Sequence, residues 1–167
     1  MESNMFCYQC QETAGCTGCT RVGVCGKQPE VAALQDLLVY VTKGMSAVTT
    51  QLRAEGTPVD PETNHWVTLN LFLTITNANF DDDILAERIR MTCKAKKELA
   101  ATLGDKSGLN DAALWEATDK SAMLAKAGTV GVMATTDDDV RCLRWLITFG
   151  LKGMAAYAKH ADVLGKH

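Results

Sequence analysis

The chain has 167 residues, of which 47% are hydrophobic and 22% are charged, and its formal net charge is −3. These values are typical of one globular domain, and the lack of a basic stripe argues against nucleic acid as the main partner. The apolar stretches are shorter than the about 20 residues of a membrane span. Residues 1–8 show neither the basic nor the apolar segment of a secretory signal. We therefore expect a cytoplasmic protein without a membrane partner.

The first predicted element is a cysteine-rich loop over residues 1–28. It contains five of the seven cysteines, namely Cys7, Cys10, Cys16, Cys19 and Cys25. Thiols this closely spaced in a glycine-rich segment are typical of a metal or iron–sulfur site, and in the cytoplasm they are more often ligands than disulfide partners. Residues 29–167 are predicted to form a helical bundle that makes one compact domain with the loop.

After the loop, the chain contains several residue patterns that favour the start or the end of a helix. Together they predict an all-α protein with a bundle of about five helices. The first helix begins at Pro29, because proline suits the first helical position, and it stops before Gly56. The second begins at the Asp60-Pro61 capping signal. Residues 67–76 are rich in β-branched side chains, yet no second strand-like run could pair with them, so a helix is favoured there too.

Three more helices complete the predicted bundle. The third starts with an N-cap at Asn79 and ends near Gly104, and a short fourth runs from Asp111 to about Lys126. The last opens at Thr136 and continues to about residue 164. The acidic triplets at 81–83 and 137–139 need no metal, because acidic side chains are favourable at the positive end of a helix dipole.

A short pattern occurs twice, in residues 34–47 and again in residues 143–156. The two copies share leucine-type residues, an aromatic position (Tyr40 and Phe149) and the sequence Lys-Gly-Met at the same spacing. A glycine inside a helix costs about 1 kcal/mol relative to alanine, so its recurrence suggests a packing reason. We predict that the first and last long helices cross within about 10 Å of each other near Gly44 and Gly153.

Two cysteines lie outside the loop, Cys93 in the third predicted helix and Cys142 in the last. Both have apolar neighbours along the chain. A buried cysteine behaves as a small apolar residue, so we predict that both pack in the core and bind no metal.

The spacing of the loop cysteines leaves the bound species open. Four thiolates can hold a tetrahedral zinc ion or a cubane iron–sulfur cluster. One possible set is Cys7, Cys10, Cys16 and Cys19, but its two pairs lie closer than the about 12 to 20 residues that usually separate zinc-binding pairs. The other set is Cys7, Cys10, Cys19 and Cys25, with Cys16 as a spare. The spacing favours iron–sulfur over zinc without deciding between them.

The cysteine motif and its flanks resemble the N-terminus of the hybrid-cluster (prismane) proteins, a family of hydroxylamine reductases. The resemblance lies in residues 5–14, 18–20 and 23–27 and continues at 34–38, 74–80, 150–157 and 160–165. It therefore covers nearly the whole chain, as the N-terminal helical part of a longer protein.

The resemblance implies a cofactor and a ligand set. In the form of the family found in anaerobes, a Cys-x2-Cys-x8-Cys-x5-Cys motif binds a [4Fe–4S] cluster. The corresponding ligands here are Cys7, Cys10, Cys19 and Cys25, and a [2Fe–2S] cluster or zinc is less favoured. Cys16 falls where the family motif has no cysteine, which implies that it is a bystander.

The resemblance also implies a function. The later domains of the family hold a hybrid iron–sulfur–oxygen cluster where hydroxylamine or nitric oxide is reduced. This chain would then be an electron-transfer domain that takes electrons from a redox donor and relays them to a hybrid cluster on missing domains or a separate chain. It would contain no catalytic residues of its own. A fragment without an independent role and a zinc-binding interaction module are the alternatives.

Overall fold

The computed structural model describes residues 5–76 and 78–166, and within them it contains six α-helices and no β-strand. The helices are α1 (Pro29–Ala54), α2 (Pro61–Leu73), α3 (Asp82–Ala101), α4 (Asp111–Leu114), α5 (Lys120–Val130) and α6 (Asp138–Val163). The prediction of an all-α bundle preceded by a cysteine-rich loop is confirmed. In the described part of the chain, no helix is long and apolar enough to cross a membrane.

Polar N-caps determine where most of these helices begin. A side-chain oxygen accepts a hydrogen bond from a first-turn backbone N–H, which has no partner within the helix. The capping residues are Asp60, Asp81, Asn110, Asp119 and Asp137. The predicted cap at Asn79 is wrong, because its side chain accepts from the backbone N–H of Asp81 and shapes the turn ahead of α3 instead.

The predicted fourth helix is in fact two helices, α4 and α5. The backbone becomes extended at Trp115, and Asp119 caps a new helix start. The end of α4 is held by Lys96 of α3, whose ammonium donates to the carbonyl oxygens of Ala112 and Trp115, both at 2.7 Å. The prediction of one helix from Asp111 to about Lys126 is therefore wrong.

Helix α1 is the central element of the bundle and contacts α2, α3, α4 and α5. Its apolar side chains form the main core with residues of α3 and α5: Val31, Leu34, Leu37, Leu38, Val41, Leu85, Ala86, Ile89, Cys93, Met123 and Ala127. The prediction that Cys93 packs in the core is confirmed. The same prediction for Cys142 is wrong, since that side chain is exposed on α6.

The two glycines of the repeated pattern have different surroundings. A Cβ atom added to Gly44 would overlap the carbonyl oxygen of Ala112, so the close approach at this glycine is between α1 and α4. A Cβ added to Gly153 would meet no atom within 4 Å. The predicted crossing of the first and last long helices at these glycines is therefore wrong.

Candidate iron–sulfur site

The cysteine-rich loop folds back so that Cys7 and Cys19 lie opposite each other. The backbone N–H of Cys7 donates to the carbonyl oxygen of Cys19 at 3.1 Å, and the N–H of Cys19 donates to that of Cys7 at 2.8 Å. The hydroxyl of Thr13 donates to the same Cys7 oxygen at 3.0 Å. Two of the four predicted ligands are thereby fixed side by side through the backbone.

The structure places all of the predicted ligands in this one loop, with all thiols free. Cys19 is buried, Cys7 and Cys10 are partly buried, and Cys25 is exposed. Residues 5–76 and 78–166 contain no group of three or more His, Cys, Asp or Glu side chains close enough to hold a metal ion. The backbone thus brings Cys7 and Cys19 together, whereas the convergence of all four sulfurs remains a prediction.

Backbone donors surround the sulfur of Cys19. The N–H of Ala14 donates to Sγ at 3.5 Å, and the Thr13 hydroxyl lies 3.8 Å from the same atom. Hydrogen bonds from the backbone of Ala14 and Val24 lower the pKa of the Cys19 thiol, because they favour the thiolate. The thiolate is the form that binds iron, and N–H···S hydrogen bonds also tune the potential of a cluster.

Lys27, near the end of the loop, is a buried cation beside Cys7. Its side chain is 1% exposed, and its ammonium donates to Gln35 Oε1 at 2.6 Å and to Cys7 Sγ at 3.9 Å. No carboxylate of the described residues forms an ion pair with it. A buried charge without a counter-charge costs several kcal/mol. An anionic iron–sulfur cluster attached to Cys7 would provide that counter-charge, so these residues fit such a group.

Helix α6 attaches to the loop through a second buried lysine, Lys152. Its ammonium donates to Gln9 Oε1 and to the carbonyl oxygen of Thr74, both at 3.1 Å. Burial lowers the pKa of Lys152 to about 8, and the carboxylate of Asp36 opposes that shift. Since Gln9 lies between Cys7 and Cys10 in the sequence, Lys152 fixes the first Cys-x2-Cys pair against the bundle.

Aromatic rings close the same side of the loop. Tyr8 packs edge-on against Phe149 of α6, with ring centroids 5.6 Å apart, and against Trp145 at 6.5 Å. Its hydroxyl is buried and has no hydrogen-bond partner among the described residues. The ring of Phe6 approaches Gly18 so closely that an added Cβ would lie 2.6 Å from it, so only glycine fits there. The loop is therefore held by packing as well as by hydrogen bonds.

Sequence reasoning found the cysteines but missed the two lysines and their amide partners, Gln9 and Gln35. The available signals were weak: Lys27 follows the last cysteine of the motif, and Lys152 lies within one of the segments that resemble the family. Lysine is almost never fully buried unless it is paired, so a sequence gives no reason to place it inside.

Comparison with known proteins agrees with this arrangement of a cysteine loop on a helical bundle. The sequence profile of the Prismane/CO dehydrogenase family matches residues 5–167. The chain therefore belongs to the Prismane/CO dehydrogenase family.

Individual relatives narrow the comparison. The hydroxylamine reductase of Desulfovibrio desulfuricans is 79% identical over 100% of this chain and 31% of its own length. Those of Acetivibrio thermocellus and Clostridium perfringens are each 49% identical, over 98% and 97% of this chain and 30% of their own lengths. The chain thus corresponds to the N-terminal part of these proteins and spans less than a third of their length. The resemblance to the N-terminal part of hydroxylamine reductases is confirmed.

Proposed function

We propose that this chain is an electron-transfer domain that binds one [4Fe–4S] cluster. The proposed ligands are Cys7, Cys10, Cys19 and Cys25. The observation that carries the proposal is the buried ammonium of Lys27, which contacts the sulfur of Cys7 and forms no ion pair with a carboxylate of residues 5–76 or 78–166. When bound, such a cluster supplies one-electron redox chemistry.

The residues of the chain have separate parts in this function. The backbone N–H groups of Ala14 and Val24 stabilise the thiolate of Cys19. The rings of Tyr8 and Phe149 exclude water from the inner side of the loop. The outer side carries the exposed Cys25 and two exposed valines, Val22 and Val24. This outer side is where a redox donor would approach, in the cytoplasm.

The electrons would pass on to a hybrid cluster for the reduction of hydroxylamine or nitric oxide. Support comes from the name of the relatives, hydroxylamine reductase, and from their length, since they contain more than two thirds of their chain beyond the matched part. The hybrid cluster would be held there or on a separate polypeptide. No reduction of these substrates is proposed for this chain by itself.

The proposal predicts different roles for two neighbouring cysteines, Cys19 and Cys16. After anaerobic reconstitution, Cys19→Ser should hold no cluster, because a ligand with a stabilised thiolate is lost. Cys16→Ser should hold a full cluster, since Cys16 is exposed and falls outside the ligand motif. Iron and sulfide analysis with EPR of the reduced protein measures both.

Two outcomes would contradict the proposal. Loss of the cluster from Cys16→Ser would show that the ligand set is wrong. A colourless wild-type protein that binds zinc and contains no iron or sulfide would show that the loop is a zinc-binding module instead.

A further inference from the structure

Two fully buried lysines of this protein, Lys27 and Lys96, differ in what their ammonium groups contact. Lys96 donates to two backbone carbonyl oxygens at 2.7 Å, that of Ala112 within α4 and that of Trp115 directly after it. These contacts explain its burial without any further ligand, since strong acceptors replace the water that the ammonium loses. Lys96 is therefore a structural lysine.

Among the residues that the structure describes, Lys27 has one oxygen acceptor, the side-chain amide of Gln35, and its other hydrogen-bond contact is the sulfur of Cys7. Its ammonium also lies 5.8 Å from the ring centroid of Phe80. A neutral amide and a thiol are weak compensation for a charge that is 1% exposed. The contacts of Lys27 thus leave a place for negative charge on the side of Cys7.

The amide of Gln35 is itself oriented by the fold. Gln35 is buried, and its NH2 group donates to the backbone carbonyl oxygen of Asn79 at 3.0 Å. Because its nitrogen is used in this way, its oxygen faces Lys27 and accepts from the ammonium. The lysine is therefore held against Cys7 by α1 and by the turn ahead of α3.

Other charged groups near Lys27 do not cancel its charge. Asp36 interacts through space with Lys27, Lys43 and Lys152, but it forms an ion pair with none of them. Burial raises the pKa of this carboxyl to about 6, because the charged form is disfavoured there. Among the described residues, three lysines thus share the carboxyl group of Asp36, and Lys27 is the one that contacts a predicted ligand.

We propose that Lys27, oriented by Gln35, is the residue that sets the reduction potential of the cluster held by Cys7. This inference rests on the proposed function. Adding one electron makes the cluster more negative, and a buried positive charge beside one of its sulfur ligands stabilises that reduced state more than the oxidised state. Lys27 thus places a positive charge beside the cluster without binding it, and this charge raises the reduction potential of the cluster.

The test is a redox titration of reconstituted wild-type protein and the Lys27→Met, Lys27→Arg and Lys96→Met variants, followed by EPR. Iron and sulfide content is measured first. Lys27→Met should keep a full cluster while its equilibrium constant for one-electron reduction falls at least about tenfold, a midpoint shift of about 59 mV to more negative potential. Lys27→Arg, which keeps the charge, should stay near the wild-type value. Lys96→Met, the matched buried lysine, should lose stability without a change in potential.

The possible failures are distinguishable. A wild-type protein that takes up no iron and sulfide overturns the proposed function, and this inference with it. A Lys27→Met variant with a full cluster and the wild-type potential overturns this inference alone. If Lys27→Met takes up no cluster, Lys27→Gln, which places a neutral amide next to Gln35, is titrated in its place with the same expected shift. An unchanged potential in that variant also overturns the inference.

Discussion

Helices α1 and α6 contain the same short sequence pattern but bury opposite faces. In α1 the apolar positions Leu37 and Leu38 are 0% exposed, whereas their counterparts in α6, Leu146 and Ile147, are 68% and 64% exposed. The burial of the lysine in the pattern is reversed between the two helices. Lys43 of α1 is exposed, and its counterpart in α6 is buried.

A periodic pattern therefore determines an apolar face of a helix but not what covers that face. The face of α1 is covered because α3 and α5 pack on it. Helix α6 instead packs on α2 and the cysteine loop with its opposite face, which is polar in part. The buried residues of that face are Trp145, Thr148, Lys152 and Ala155. Burial is thus a property of the neighbours as much as of the sequence.

The largest change in stability is expected from truncating a buried leucine of α1, in contrast to its exposed counterpart in α6. Leu38→Ala should lower the free energy of unfolding of the apo protein by about 2–5 kcal/mol, because it leaves a cavity in the main core. Ile147→Ala should change it by no more than about 0.5 kcal/mol, since the side chain is exposed. Urea denaturation followed by circular dichroism measures both. Equal losses would show that the α6 face is covered in solution.

Alanine substitutions at the two glycines of the repeated pattern should change the stability in opposite directions. Gly44→Ala should destabilise the protein by about 1–3 kcal/mol, because the new methyl group would push α4 away and disturb the bond from Lys96 to Ala112. Gly153→Ala should stabilise it by about 0.5–1 kcal/mol, since alanine favours a helix and nothing obstructs the methyl group. Thermal unfolding of the two variants distinguishes these signs. A stabilising Gly44→Ala would contradict the close approach of α4.

The smallest expected effect is a pH dependence of stability that comes from Lys152. Below about pH 8 this lysine is charged in both the folded and unfolded states, and its burial lowers stability. Between about pH 8 and the ordinary lysine pKa of 10.5 the unfolded state binds more protons, so stability rises with pH. The stability of the wild type relative to Lys152→Met should therefore increase over this range. Lys43→Met, at the exposed twin position, should give a smaller change in the same urea titrations.

The helices that sequence reasoning found best are those with local signals at their ends. Pro29 and the Asp60-Pro61 pair act within one turn of chain, so their effect is visible without any tertiary contact. The break before α5 was missed because the surrounding residues suit a helix. What ends α4 is the ammonium of Lys96, which comes from another helix. A signal of that kind cannot be found in a sequence window.

The candidate site likewise has a part that the sequence predicts, the cysteine motif, and a part that it does not, the buried lysines. The cysteine spacing and its flanks gave the loop and the family, because those residues lie close together in the sequence. The contacts of Lys27 with Gln35, and of Lys152 with Gln9, join distant segments and bury residues that a sequence places on the surface. The electrostatic part of the site therefore required the fold.

The shortness of helix α4 has a consequence for how the protein folds. The helix has only four residues, whereas an isolated helix needs about 12–15 to persist in water. Its backbone lies on Gly44 of α1 and is held by Lys96 of α3, and its first residue, Asp111, pairs with Lys126 of α5. Because these contacts come from other helices, we expect α4 to form only after α1, α3 and α5 have met. Trp115 lies directly after α4, so in a variant without Trp66 and Trp145 its fluorescence would report the formation of this helix.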